Sequence, residues 1–223
     1  MSYTLLIGNK NYSSWSLRPW LLLRAFGVPF SEERYVFDTP EFAAEISSRK
    51  RSPNGKVPVL VDGDIKVWDS LAISEYLAER HPGMWPTDAA ARAHARCACA
   101  EMHSGFQALR SRMGMNVRRS YPIAVPRDDV QKDIDRIQAL WTEARVKFGA
   151  DGEFLYGKFS VADAYFAPVV FRFNTYAVKC LPVVAEYVET MLAHPSMQQW
   201  IADSKAEAEV VEHEEPEHIY ATI

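Results

Sequence analysis

Two pairs of residues in the first third of the chain have the chemistry to bind a small anion. Ser13 and Ser14 lie between the first predicted strand and the first predicted helix, and Asp69 and Ser70 directly precede another predicted helix. A serine at such a position usually caps the helix, because its oxygen accepts a hydrogen bond from an unpaired backbone N–H. Alternatively, its hydroxyl donates to an anion that the positive end of the helix dipole also stabilises. Adjacent serines can fill both roles, since capping uses a lone pair and anion binding uses the proton.

A third candidate segment is residues 52–60, with the sequence SPNGKVPVL. Its plainest interpretation is a turn at Gly55 that leads into a strand. Pro58 is unusual there, because proline removes a backbone donor and belongs at a sheet edge or at the first residue of a strand. Together, the three segments outline a cleft for a small extended anion. A serine hydrolase is excluded, because the chain has no G-x-S-x-G motif and its first 80 residues contain no histidine.

Two features of the second half of the chain have both a structural and a functional interpretation. Ser160 and Asp163 have the spacing of a capping box, with aspartate in place of Glu or Gln, and are interpreted as structural. Arg172 is a candidate anchor for an acidic substrate, and a surface or structural salt bridge is an equally good explanation of it.

The elements that must position these residues change in type near residue 82. Before it, short strand patterns alternate with helical patterns in the order β-α-β-α-β-β-α. After it, apolar residues recur every three or four positions, which is typical of amphipathic helices. The predicted strands are 3–7, 34–37, 57–61 and 65–68, and the predicted helices are 14–26, 41–49, 70–80, 88–115, 130–148, 160–178, 183–193 and 196–206.

This change predicts two domains. Residues 1–81 form a ligand-binding α/β domain, residues 82–87 a linker, and residues 88–206 an all-helical domain. Residues 207–223 are acidic and are expected to be a mobile or surface-draped tail.

The composition of the 223 residues is 48% hydrophobic, 24% charged and 12% aromatic, which is ordinary for a globular protein and excludes intrinsic disorder. The net charge of −4 gives no reason to expect nucleic acid or a membrane as a partner. Cys97, Cys99 and Cys180 are odd in number and form no C-x-x-C motif. With no visible signal peptide and no membrane-spanning apolar run, a cytoplasmic location is expected.

In order and spacing, these motifs resemble those of the cytosolic glutathione S-transferases over nearly the whole chain. The resemblance rests on V-P-V-L after an N-x-G-K turn, on the D-S pair that opens a helix, and on the S-x-A-D box. The S-S-W-S-L-R stretch is similar to the serine classes, particularly the zeta or maleylacetoacetate isomerase-like class, whose S-S-C-S motif opens the first helix. The resemblance implies a thioredoxin-like N-terminal domain followed by an all-helical C-terminal domain.

The resemblance also implies how glutathione, as cosubstrate, would bind. Val57, before a cis Pro58, would offer its backbone N–H and C=O to the cysteinyl part. Ser70 would hold the γ-glutamyl carboxylate, Asp69 would face the ammonium group, and Lys56 would pair with a carboxylate. No metal is implied.

The catalytic group implied is a serine hydroxyl that donates to the glutathione sulfur. Alignment with theta enzymes favours Ser14 and alignment with zeta enzymes favours Ser13, so both are kept. Conjugation of glutathione to a small electrophile is the expected reaction, with a pocket lined from residues 103–113 and 172–176. The alternatives are a glutathione-dependent cis-trans isomerase, which Trp15 in place of the zeta cysteine disfavours, and a non-enzymatic binding module. A homodimer is also implied.

Overall fold

The sheet of the first domain has four strands in the order β2-β1-β3-β4. It is seen in a computed structural model that describes residues 3–123 and 126–221, so the predicted limits at residues 1 and 223 lie outside it. Strand β1 pairs parallel with β2 and antiparallel with β3, and β3 pairs antiparallel with β4. The elements of this domain are β1 (Tyr3–Ile7), α1 (Ser14–Ala25), β2 (Phe30–Arg34), α2 (Pro40–Phe42, continued by a π-helical turn at Ala43–Ser47), β3 (Val59–Asp62), β4 (Ile65–Trp68) and α3 (Ser70–Arg80).

Helices make up most of the second domain. They are α4 (Ala89–Ser104), α5 (Gln107–Arg112), α6 (Asp128–Phe148), α7 (Val161–Thr175), α8 (Pro182–Ala193), α9 (Pro195–Ala206) and α10 (Pro216–Ala221), with a short 3₁₀ helix at Glu212–Glu214. The predicted fold class, a thioredoxin-like domain followed by an all-helical domain, is confirmed. No helix within residues 3–123 or 126–221 combines the length and the apolar character that crossing a bilayer requires.

Local signals explain the elements whose predicted limits are confirmed. Helix α1 is followed by Gly27, whose φ of +63° is the left-handed conformation that glycine adopts without strain. The carboxylate of Asp69 caps α3 by accepting hydrogen bonds from the N–H groups of Leu71 and Ala72. The first and last strands along the chain, β1 and β4, lie where the sequence predicts them.

The predicted second strand and second helix are wrong in position. The strand is Phe30–Arg34 instead of 34–37, and the predicted helix 41–49 is a single short turn followed by π-helical geometry. Pairing with β1 fixes the strand, with Phe30 opposite Tyr3, although its own sequence is mostly polar and exposed. A non-local partner therefore overrides the local pattern here.

The predicted long helix 88–115 is two helices, because the chain breaks at Gly105 and Phe106. The N–H of Gly105 closes the last turn of α4 on the carbonyl of Glu101, and Phe106 has a left-handed φ of 55°. The guanidinium of Arg110 then reaches back to the carbonyls of His103 and Gly105, at 3.3 and 3.1 Å. Those bonds satisfy carbonyls that a broken helix leaves unpaired.

The described part of residues 207–223, which was expected to be a mobile or surface-draped tail, is attached to the first domain at specific residues. Glu207 and Val211 are buried, and the carboxylate of Glu207 accepts hydrogen bonds from the N–H groups of Lys10 and Asn11. The segment packs beside the loop that leads into α1.

Helix α7 is buried on almost all sides and joins the two domains. Its first turn has the predicted capping box. Oγ of Ser160 accepts a hydrogen bond from the N–H of Ala162, and the carboxylate of Asp163 accepts one from the N–H of Ser160. Burial raises the pKa of Asp163 to about 6, although hydrogen bonds to its carboxylate, among them those from the N–H groups of Leu155 and Ser160, oppose that shift. The Nε of Arg18, from α1, donates to the carbonyl of Tyr165 on α7 at 2.9 Å.

Candidate functional site

A cavity of about 380 Å³ lies between the start of α1, the loop before β3, and helices α5 and α7. Both ranges predicted to line the electrophile pocket contribute to it. Both domains contribute polar groups to the lining of this cavity. They are the hydroxyls of Ser13 and Ser14, the backbone of Val57, and the cationic side chains of Lys56, Arg110 and Arg172.

The two serines before and in the first turn of α1 differ in their hydrogen bonding. Ser13 is buried, and its hydroxyl donates to Oγ of Ser16 at 2.7 Å, which in turn accepts from the N–H of Gly8. Ser14 is half-buried, and its hydroxyl makes no hydrogen bond to any residue within 3–123 or 126–221. Among the described residues, no side chain caps α1. The first turn therefore presents one free hydroxyl and the positive end of a helix to the cavity.

A tight turn positions Lys56 and Val57. Oγ of Ser52 accepts from the N–H of Lys56 at 3.1 Å and donates to its carbonyl at 2.6 Å. Gly55 has a φ of +74°, as the turn requires. The Val57–Pro58 peptide bond is cis. Val57 precedes the paired residues of β3, so its N–H and C=O are not used in the sheet.

Asp69 and Ser70 do not line this cavity. They belong to a hydrogen-bonded circuit in which Oγ of Ser70 lies 3.1 Å from Oη of Tyr165 and Oη lies 2.6 Å from Nδ1 of His103. The circuit closes between Nε2 of His103 and Oδ2 of Asp69, at 3.3 Å. Burial raises the pKa of Tyr165 to about 12, so its hydroxyl keeps its proton. The circuit joins the first domain to α4 and α7.

Trp15 lies between the cavity and this circuit. Its ring lines the cavity, and its ring centre is 5.6 Å from that of His103. Two guanidinium groups flank the indole, with Arg18 at 4.2 Å and Arg110 at 4.9 Å from the ring centre. Such cation–π contacts hold the ring in place. Burial lowers the pKa of Arg18 to about 10, which still leaves it charged at neutral pH.

The sequence therefore singled out part of the cavity lining and two members of the circuit, Asp69 and Ser70. It did not reveal the other two members of the circuit, His103 and Tyr165. His103 and Tyr165 are single residues on helices, at positions that their own sequence does not distinguish from ordinary core positions. Their contact with Ser70 and Asp69 depends on how α4 and α7 pack against α3.

Comparison with known proteins agrees with the fold. Residues 12–80 match the family model described as glutathione S-transferase, N-terminal domain. Over 94% of this chain, the fold is similar to that of a Burkholderia BGR1 glutathione transferase homologue solved with bound glutathione, with a TM-score of 0.69, 23% sequence identity and 100% coverage of that chain.

Sequence relatives are distant and of several kinds. A dichloromethane dehalogenase of Methylorubrum extorquens is 41% identical over 56 residues, which are 25% of this chain and 19% of that protein. A stringent starvation protein A homologue of Haemophilus ducreyi is 24% identical over 71% of this chain and 70% of its own. A probable maleylacetoacetate isomerase of Caenorhabditis elegans is 35% identical over 45% of this chain and 46% of its own. Residues 12–80 thus match the model of the glutathione S-transferase N-terminal domain, and the chain as a whole has the glutathione S-transferase fold.

Proposed function

We propose that this protein binds glutathione and activates its thiol, through the hydroxyl of Ser14, for attack on a small electrophilic molecule. The observation that carries this proposal is the hydroxyl of Ser14, which is free among the described residues. It lies in a cavity that Lys56 also lines, together with Val57, whose backbone the sheet does not use. The similarity in fold to a homologue solved with glutathione supports it.

Glutathione is an extended tripeptide, so it can add to the edge of the sheet by β-augmentation. Val57 pairs with the cysteinyl part, and the exposed ammonium group of Lys56 pairs with a carboxylate. Ser70 holds the γ-glutamyl carboxylate and Asp69 faces the ammonium group. For this, the hydroxyl of Ser70 exchanges its present partner, Tyr165, for the ligand.

Ser14 is a better donor to the sulfur than Ser13. The hydroxyl proton of Ser13 is already engaged by Oγ of Ser16 at 2.7 Å, and turning it toward a ligand would break that bond. The hydroxyl of Ser14 has no hydrogen bond to lose among the residues that the structure describes. A thiol with a pKa near 8.5 is only a few per cent thiolate at neutral pH, and each pKa unit by which it is lowered corresponds to about 1.4 kcal/mol.

Ser14→Ala is expected to raise the pKa of bound glutathione's thiol by about one unit, because the anion loses its charge-assisted hydrogen bond. The measurement is the thiolate absorbance of bound glutathione against pH. Ser13→Ala is the matched control and should leave this pKa nearly unchanged. A larger rise in Ser13→Ala than in Ser14→Ala would reverse the assignment. If wild type binds glutathione without lowering the pKa of its thiol, the protein is a non-enzymatic glutathione-binding module and the proposed activity is refuted.

Ser70→Ala is expected to weaken glutathione binding about fivefold to tenfold, because one hydrogen bond to a carboxylate is lost. The pKa of the thiol that still binds should not change, since Ser70 lies far along the ligand from the sulfur. Ser74→Ala on the same helix is the control, because its buried hydroxyl bonds to the carbonyl of Ser70 and not to ligand. Calorimetric titration measures both, and equal affinity in Ser70→Ala and wild type would refute the carboxylate assignment.

A glutathione-dependent cis-trans isomerase is the second candidate. The similarity to a probable maleylacetoacetate isomerase and the cationic side chains of Arg110 and Arg172 in the cavity favour it. In that reaction the thiolate adds to a double bond and leaves again after rotation, so glutathione is not consumed. Measuring glutathione consumption with a maleyl-type substrate distinguishes the two reactions. Assembly as a homodimer stays a prediction.

A further inference from the structure

One of the most buried cations of the protein lies at the second-domain side of the cavity. Arg172, on α7, is 4% exposed, and its Nε donates to the carbonyl of Met113 at 2.7 Å. Its Nη1 is buried and has no hydrogen-bond partner in the described part of the chain. No carboxylate within residues 3–123 or 126–221 lies within ion-pair distance of it. The salt bridge that would explain Arg172 as a purely structural residue is therefore not formed there.

The charges around Arg172 add to this imbalance. Arg110 lines the same cavity, and Arg18 lies close enough to repel the same guanidinium. Glu214 is the one acidic residue among the described residues that line the cavity, and burial raises the pKa of its carboxyl. The described lining of the cavity thus has three cationic side chains, Arg110, Arg172 and Lys56, and a single carboxyl group.

A buried charge without a counter-charge is costly. Burial and the nearby cations lower the pKa of Arg172 to about 9, so it is still protonated at neutral pH. An anionic ligand would supply the missing counter-charge. A carboxylate fits best, because a guanidinium presents paired donors that match the two carboxylate oxygens.

We propose that Arg172 and Arg110 form a binding site for a carboxylate carried by the electrophile. The inference rests on the proposed function and specifies its substrate class. The carboxylates of glutathione are assigned to Lys56 and Ser70 in the first domain, whereas Arg110 and Arg172 come from α5 and α7. The two cations therefore select the second substrate, and neutral electrophiles of equal size are poorer substrates.

Iodoacetate and iodoacetamide test this inference, because they differ only in a carboxylate against a carboxamide. In both reactions the glutathione sulfur bonds to the carbon that carries iodine, and iodide leaves with the electron pair. Relative to the uncatalysed rates, wild type should favour iodoacetate over iodoacetamide in kcat/KM. Arg172→Gln should lower that preference about tenfold, as expected for the loss of charge-assisted hydrogen bonds.

Arg136→Gln is the matched control, because Arg136 is exposed, pairs with Glu101 and does not line the cavity. Arg110→Gln, at a half-buried position, repeats the test if circular dichroism shows Arg172→Gln to be misfolded. Two results would overturn the carboxylate site and leave the proposed function intact. In the first, wild type lowers the thiol pKa but does not prefer iodoacetate. In the second, the preference for iodoacetate is unchanged in variants that are still folded. Absence of a lowered thiol pKa in wild type overturns the proposed function itself, and this inference with it.

Discussion

Replacing Asp163 by Ala is expected to lower the free energy of unfolding by about 4 kcal/mol. The carboxylate is fully buried and accepts hydrogen bonds from the N–H groups of Leu155 and Ser160, at 3.1 and 2.8 Å, and from Oγ of Ser160 at 3.0 Å. Alanine would leave these donors buried without a partner, and each buried unsatisfied donor costs about 1–3 kcal/mol. The sum is below three full penalties because some of these donors reach water or the carbonyl groups nearby after relaxation.

The effect of Asp163→Ala reaches the candidate site through α7. Asp163 fixes the first turn of the helix that carries Tyr165 and Arg172. Urea denaturation measures the loss, with Asp88→Ala as control. Asp88 caps α4 by accepting from the N–H of Ala91 at 2.8 Å, but it is exposed, so its loss should cost about 1 kcal/mol. Equal costs for the two variants would show that burial of the capping box adds nothing.

The capping box illustrates what could be predicted from sequence. Its partners are three residues apart, so residue types and spacing define it. The same holds for the Asp62–Ile65 hairpin turn and for the cap of α3 by Asp69. Where both partners of an interaction lie within one turn of chain, the predicted element and the observed element agree.

Two kinds of feature were not predicted, namely contacts that reach beyond one turn of the chain and side-chain torsions within one turn. Strand β2 takes its position from β1, and the break at Phe106 takes part of its stabilisation from the side chain of Arg110. For the candidate site, the sequence predicted Ser13 and Ser14 equally. The hydrogen bond from Ser13 to Ser16 distinguishes them, and it depends on side-chain torsions that spacing does not reveal.

The clearest non-local contact is that of Glu207 with the loop before α1. Its two carboxylate oxygens accept hydrogen bonds from the N–H groups of Lys10 and Asn11, at 2.7 and 3.0 Å. Glu207 lies 197 and 196 positions from these two residues in the chain. Burial raises the pKa of Glu207, and the guanidinium of Arg34 partly opposes this. An acidic C-terminal segment normally predicts a solvated tail, whereas this glutamate satisfies two backbone donors that have no partner in the sheet.

Glu207→Ala is therefore expected to lower the free energy of unfolding by about 3 kcal/mol, because two buried N–H groups lose a charged acceptor. Loosening the loop should also displace Ser14 from the sulfur and raise the pKa of the bound thiol. Urea denaturation and the thiolate titration measure the two effects on one variant. Glu209→Ala is the control, since half-exposed Glu209 pairs with Arg34 at 2.9 Å, and such a pair contributes at most about 1 kcal/mol.

The two measurements on Glu207→Ala separate a structural role from one in positioning Ser14. A loss of stability with an unchanged thiol pKa would mean that the tail only stabilises the fold. A raised thiol pKa at a temperature where the variant is still fully folded would mean that the tail also holds the start of α1 in place. We expect the second result, because only Tyr12 and Ser13 separate Asn11 from Ser14. Tyr12 is itself bonded to the tail, its hydroxyl donating to Glu215 at 2.5 Å.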